Sequence, residues 1–134
     1  MALPLVRRTA LLAASCVLAL GAATPPAPAA LDMAVGARKV VKSQPVSSCN
    51  AAAKTALNSV LQDATEIGSG DTGEWRAYGP ADSAGHSSSA AAVHCYPLDD
   101  GYVVTFTCAV QTPDSTDTAS ALCTKLATAF GGGP

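Results

Sequence analysis

The sequence predicts a two-layer α+β domain in which two helices cover one face of a three-stranded antiparallel sheet. Two segments carry apolar residues at helical spacing, and a strand–turn–strand pattern lies between them. Four cysteines follow the N-terminal leader, and each falls on the apolar side of a predicted helix or strand: Cys49, Cys95, Cys108 and Cys123. Thiols that point into one core are placed to form disulfides, so we expect a disulfide-stabilised fold.

The first 30 residues have the three-part organisation of a secretory signal peptide. Arg7 and Arg8 form a basic start, an apolar run over 9–21 follows, and small residues with proline come next. The apolar run is too short to span a bilayer, so we expect a cleaved leader and no membrane span. Cleavage after Ala23 and cleavage after Ala29 both fit the requirement for small residues. The protein is therefore expected to be secreted or periplasmic.

Two variants of this signal stay open. Arg7 and Arg8 also occur in twin-arginine signals, but Val6 precedes them and no Phe-Leu-Lys run follows. Cys16 is a candidate for lipid attachment, but alanine stands where leucine is expected three residues upstream. We interpret the arginines as ordinary leader charge and Cys16 as an ordinary thiol of the apolar run.

The charge of the mature chain excludes some partners. Without Arg7 and Arg8, six basic residues face ten acidic ones, which gives a net charge of about −4. This balance disfavours nucleic acid and anionic membranes as partners. Large apolar side chains are few, so disulfides are expected to contribute usefully to stability.

The domain begins after a segment without sustained periodicity. We interpret residues 31–47 as a flexible N-terminal arm, with a short first strand through Lys39–Val41 as the alternative. Residues 48–131 form the single compact domain, and residues 132–134 form a tail.

The first helix is predicted over 49–67. Ser48 is its expected N-cap and Gly68 its stop. Its apolar stripe recurs at steps of three and four residues and consists of Cys49, Ala53, Leu57, Val60, Leu61, Ala64 and Ile67.

A short strand over 74–78 and a flexible loop over 79–89 follow. Residues 90–97 and 102–110 then form a hairpin whose turn signal is Asp99-Asp100-Gly101. Placing Leu98 opposite Val103 gives one wholly apolar face, which we take as the core face. Its members are Ala91, Val93, Cys95, Val104, Phe106, Cys108 and Val110.

The second helix is predicted over 119–130 and ends at Gly131. Asp114 and Thr116 are its candidate caps. Its apolar stripe consists of Ala119, Leu122, Cys123, Leu126, Ala127 and Phe130.

The predicted geometry favours disulfides between helix and sheet. Cys95 and Cys108 are diagonal neighbours in this register, about 7–8 Å apart, which is at or past the limit for a bridge. We favour Cys49–Cys95 with Cys108–Cys123. The pairing Cys49–Cys108 with Cys95–Cys123 is nearly as good.

Metal binding and catalysis have weak support. The cysteines lack the close pairs of zinc, iron–sulfur and redox sites, and we expect no metal and no cofactor. His86 and His94 are the only histidines. His86 lies beside Ser87 and near Asp82, but a mobile loop supplies neither an orienting scaffold nor an oxyanion hole. We therefore expect no catalytic residues.

The sheet face away from the helices is the place where function is expected. It carries Val103 and either Trp75 or Tyr78, and we take as the candidate binding residues Trp75, Tyr78, His94, Tyr96, Thr105 and Thr107. Aromatic side chains on an uncovered sheet suit contact with a protein or a glycan, and self-pairing would give a homodimer. We therefore predict a small secreted binding protein that is not an enzyme. The alternatives are a protease inhibitor that uses loop 79–89 and a small hydrolase that uses His86 or His94.

Overall fold

The computed structural model describes residues 29–36, 38–67, 73–112 and 117–131. In chain order the elements are β1 (Ala30–Val35), β2 (Lys39–Val41), α1 (Val46–Val60), β3 (Gln62–Glu66), β4 (Gly73–Tyr78), β5 (Ser89–Leu98), β6 (Gly101–Thr112) and α2 (Ala119–Gly131). Most of the predicted leader, the predicted stop at Gly68, the caps Asp114 and Thr116 and the predicted tail lie outside the described residues. The mixed α+β architecture is confirmed.

The sheet is larger than the sequence predicted. Six antiparallel strands run in the order β1-β6-β5-β4-β3, and β2 pairs with β6 beyond the end of β1. The prediction of three strands was therefore wrong. Two of the extra strands, β1 and β2, lie in residues 31–47 apart from Ala30, although this range was interpreted as an arm. The alternative interpretation, a short strand over Lys39–Val41, matches β2. The long strand β6 has a side that β5 leaves unpaired, and β1 and β2 satisfy its backbone groups there.

The first helix is shorter than predicted. It ends at Val60, since Leu61 adopts an extended backbone conformation and the chain turns directly into β3. The Asn58 side chain accepts a hydrogen bond from the backbone N–H of Ala64 at 2.8 Å, which holds this sharp connection. Leu61, Ala64 and Ile67 continue the helical spacing, so a periodic pattern could not separate the strand from the helix. The expected N-cap also moves, from Ser48 to Pro45.

The hairpin keeps its predicted core face in a different register. Leu98 lies opposite Gly101 instead of Val103, and Asp99 and Asp100 form the turn. The pairing differs from the prediction by two residues, and a shift of two returns every side chain to the same face. The Asp100 carboxylate accepts hydrogen bonds from the backbone and hydroxyl of Ser43, both at 3.2 Å, which tie the turn to the chain after β2.

Both helices pack against the same face of the sheet, and one disulfide joins each helix to it. Cys49 of α1 bonds Cys95 of β5, and Cys108 of β6 bonds Cys123 of α2, with Cα separations of 6.0 and 5.7 Å. The favoured pairing is thus confirmed. The four half-cystines are buried in one core whose largest fully buried side chains are Phe106, Leu57, Leu126, Val93, Val104 and Val110.

The start of α2 is held by the edge of the sheet. Asp32 of β1 accepts a hydrogen bond from the backbone N–H of Ala119 at 2.8 Å, and the Thr118 hydroxyl accepts one from Ala121 at 3.1 Å. These acceptors satisfy N–H groups that a helix leaves unpaired in its first turn. The contact with Asp32 also fixes β1 against the covered side of the sheet.

Candidate functional site

The face of the sheet opposite the helices, called the outer face below, carries the side chains that point away from the core. Five of the six predicted binding residues lie on it: Tyr78, His94, Tyr96, Thr105 and Thr107. Tyr78 is 57% exposed and Tyr96 is 44% exposed. Thr105 lies opposite His94, and Thr107 lies opposite Ala92. The structure therefore groups these five residues on adjacent strands.

Trp75 does not belong to the outer face. It pairs with Val93 of the core face, and only 9% of its surface is exposed. Lys54 of α1 lies over its ring, with Nζ 5.6 Å from the ring centroid. A strand points residues three apart to opposite faces, so Trp75 and Tyr78 cannot both point outwards. Helix α1 covers the indole ring of Trp75, and Tyr78 is the aromatic residue of β4 that points outwards.

One end of the outer face is polar, and its charges pair with each other. Glu74 contacts the Arg76 guanidinium at 2.6 Å and lies 3.7 Å from Nδ1 of His94. The His94 and Tyr96 rings are stacked, with centroids 6.2 Å apart and planes 8° apart. Because Glu74 is already paired with Arg76, this end offers little unpaired charge to a ligand.

The middle of the outer face is a shallow apolar groove of about 360 Å³. Its floor is formed by the small side chains of β5 and β6, with Tyr78 and Arg76 on one wall and Met33 on the other. The floor residues are Ala90, Ala92, Thr107 and Ala109. Small residues between larger ones make the sheet surface concave there, so the groove fits apolar side chains.

Sequence reasoning missed the apolar residues at the β1 end of this face. Leu31, Met33 and Val35 are 66%, 62% and 77% exposed, and Val40 of β2 lies further along the same edge of β6, opposite Val103. Their alternation with Asp32 and Ala34 was the available signal, because a period of two is typical of a strand. With these residues the outer face carries more exposed apolar side chains than a solvated sheet face requires.

Loop 79–89 projects from the end of the β4–β5 hairpin and is internally hydrogen-bonded. Asp82 and His86 form a backbone hydrogen bond at 2.8 Å below its tip, and Ala81 and Ser87 form a β-bridge. The Asp82 carboxylate accepts hydrogen bonds from the N–H groups of Ala84 and His86, both at 2.8 Å. The Ser87 hydroxyl donates to the carbonyl of Gly79. These bonds link the two sides of the loop that the sequence predicts to be flexible.

The hydrogen bonds to Asp82, chiefly the one from His86, lower the pKa of its carboxyl group. A lowered pKa means that the folded loop favours the charged form, so this carboxylate stabilises the loop at neutral pH. That contribution is lost as the pH falls through the lowered pKa, below about 4. We expect the amide proton shifts of Ala84 and His86 to titrate together in this range in an NMR experiment. A midpoint at or above the ordinary aspartate value would contradict this role.

Asp82, His86, Ser87 and Ser88 line one shallow pocket at the loop, but no serine hydroxyl is hydrogen-bonded to a histidine among the described residues. Nδ1 of the exposed His86 lies 3.9 Å from the Asp82 carboxylate, while the hydroxyl of Ser87 is used by Gly79. His94 contacts Glu74 on the outer face. Within these ranges, no three His, Cys, Asp or Glu side chains are grouped closely enough to hold a metal ion.

Comparison with known proteins identifies no family for this chain. No protein-family model matches the chain, and no curated protein and no solved structure is significantly similar to it. Neither helix of the described part of the chain is long and apolar enough to cross a membrane. The function must therefore be argued from the outer face itself.

Proposed function

We propose that this is an exported binding protein whose outer face takes an apolar segment of another protein. The observation that carries the proposal is the groove over Ala90, Ala92 and Ala109, which lies uncovered between Tyr78 and Met33. The leader sequence and the two buried disulfides support export, because such bridges persist in oxidising compartments.

The chemistry of the groove favours a protein ligand over a glycan. A sugar needs hydrogen-bonding groups beside an aromatic platform, whereas alanine methyl groups form most of this floor. The ionic groups nearest the groove, Arg76 and Glu74, already pair with each other. Tyr78 is half exposed at the groove wall, where an aromatic ring contributes apolar area and a hydroxyl group at the rim. Apolar and aromatic side chains of a partner therefore match this surface best.

The substitution Ala92→Glu tests the proposal. It places a longer, charged side chain on the groove floor, beside Arg76 on the neighbouring strand, so the sheet is expected to tolerate it. The probe is a displayed library of short random peptides selected against the wild-type protein. We expect the selected peptides to be rich in apolar and aromatic residues, and a synthetic representative to bind Ala92→Glu at least about tenfold more weakly by fluorescence polarisation.

The matched control is Ala51→Glu, the same change at an exposed position of α1. It is expected to leave peptide affinity unchanged. Selection that yields no peptide sensitive to Ala92→Glu would overturn the proposal. So would an oligosaccharide array in which glycans bind and Ala92→Glu has no effect on them.

Protease inhibition through loop 79–89 is a second candidate, favoured by the hydrogen bonds that Asp82 makes within it. We rank it second because the loop has no disulfide of its own, and Cys95 lies beyond it. Stoichiometric inhibition of trypsin, chymotrypsin or subtilisin that Asp82→Ala abolishes would establish it. Unchanged activity of all three proteases in the presence of the protein would count against it.

A further inference from the structure

The sheet ends on two strands of very different character. At one end, β3 carries Asp63 and Glu66, is interrupted by an irregularity between Gln62 and Thr65, and has Asp63 at a φ of 49°. Charges and bulges are the devices by which a sheet edge resists pairing with another chain. The β3 edge is therefore protected against pairing with a strand of another chain.

The opposite edge, β1, has none of these devices on its outward residues. Leu31, Met33 and Val35 are its three outer-face side chains, and all three are apolar and exposed. Its one charged residue, Asp32, lies on the covered side and binds the start of α2. No strand of the described ranges pairs with the far side of β1. Among the residues that the structure describes, this edge is thus open to another strand.

The hydrogen-bonding of β1 to β6 shows which of its backbone groups are available. The N–H of Gly36 donates to the carbonyl of Phe106 at 2.8 Å, in continuation of the β1–β6 register. Backbone groups alternate in direction along a strand, so the even-numbered residues of β1 face β6. The N–H and C=O groups of Leu31, Met33 and Val35 therefore face the open edge.

We propose that a second copy of this protein pairs with β1 through its own β1, antiparallel and centred on Met33. In this register Met33 lies opposite Met33 of the second copy, and Leu31 lies opposite Val35. Every outward N–H and C=O group then meets a partner, and the three apolar side chains form cross-strand pairs. A strand whose pattern is self-complementary about its centre suits a twofold dimer.

Charge favours this register over the one centred on Asp32. Centring the pairing on Asp32 would place two carboxylates directly opposite each other, which is destabilising. Centring on Met33 places Asp32 opposite Ala34 instead. The dimer joins two sheets edge to edge, with both outer faces on the same side. The proposal of a dimer rests on the open edge of β1 and does not depend on which ligand binds in the groove.

Sedimentation of the secreted protein from about 1 μM to about 1 mM tests the dimer. Because the interface is small, we expect a concentration-dependent dimer with a Kd on the order of micromolar. Val35→Arg, at an exposed position outside the groove lining, is expected to raise the Kd at least tenfold. Ala92→Glu is expected to leave it unchanged, which separates failure of the dimer from failure of the groove. A monomer at every concentration would overturn the proposal.

Cysteine cross-linking tests the register. Met33→Cys places two thiols opposite each other across the twofold axis, within the Cα separation that a disulfide allows. Leu31→Cys and Val35→Cys, made singly, place the two thiols of a dimer far apart. Mild oxidation is expected to cross-link Met33→Cys at least tenfold faster than either control. Equal rates for the three variants would overturn the register.

Discussion

Replacing Cys49 and Cys95 together with alanine is expected to lower the free energy of unfolding by about 4 kcal/mol. The two residues are 46 positions apart, and a cross-link restricts the unfolded chain more as the closed loop grows. The bridge also joins α1 to β5 inside the core, where the half-cystines are fully buried. Urea unfolding followed by circular dichroism gives the change.

The second bridge provides the comparison. Cys108 and Cys123 are only 15 positions apart, so their joint replacement is expected to cost less, about 3 kcal/mol. Both double variants remove two buried sulfur atoms, which makes their packing losses similar. An equal or larger loss for the Cys108 and Cys123 pair would contradict the loop-length explanation.

Gly101→Ala is expected to cost more than about 3 kcal/mol, because two penalties coincide at this position. Gly101 has a φ of 120°, which side chains with a Cβ rarely adopt. A Cβ there would also clash with the carbonyl oxygen of Val41, a backbone atom that cannot rotate away. The hairpin turn and the docking of β2 would both be disturbed.

Gly85→Ala separates the two penalties. Gly85 also has a positive φ, of 83°, but a Cβ there would meet nothing within 4 Å. It should lose only the conformational part, roughly 1–2 kcal/mol. Thermal unfolding of both variants measures the difference. Equal losses for the two glycines would show that the contact with Val41 is not limiting.

The hairpin and the disulfides could be predicted from the sequence because their signals do not depend on distant residues. The core face of β5 and β6 follows from alternation alone, and alternation is unchanged by the two-residue error in register. With that face assigned, Cys95 and Cys108 were expected to bond cysteines on the helices. Two such pairings stayed open in the sequence, and the structure contains the favoured one.

The rest of the sheet depended on tertiary contacts. Leu61, Ala64 and Ile67 fit a helix as well as a strand, and the side chain of Asn58 helps to end α1 before them. β1 and β2 form because β6 extends far enough to pair with both. The missed strand β1 had the largest consequence for the candidate site, because its residue Met33 lines the groove. The sequence placed Met33 in a segment interpreted as an arm. Trp75 was predicted to be a site residue but does not lie on the outer face, because it points to the side of β4 that α1 covers.

The most direct test of the outer face as the binding surface is an NMR titration of alanine methyl groups with a peptide selected against the wild-type protein. Ala90, Ala92 and Ala109 report on the groove, Ala53 and Ala56 on the core beneath α1, and Ala84 on loop 79–89. We expect saturable shifts of the three groove methyls and little change at the other three. Shifts confined to Ala84, or to the alanines of α1, would contradict binding at the outer face.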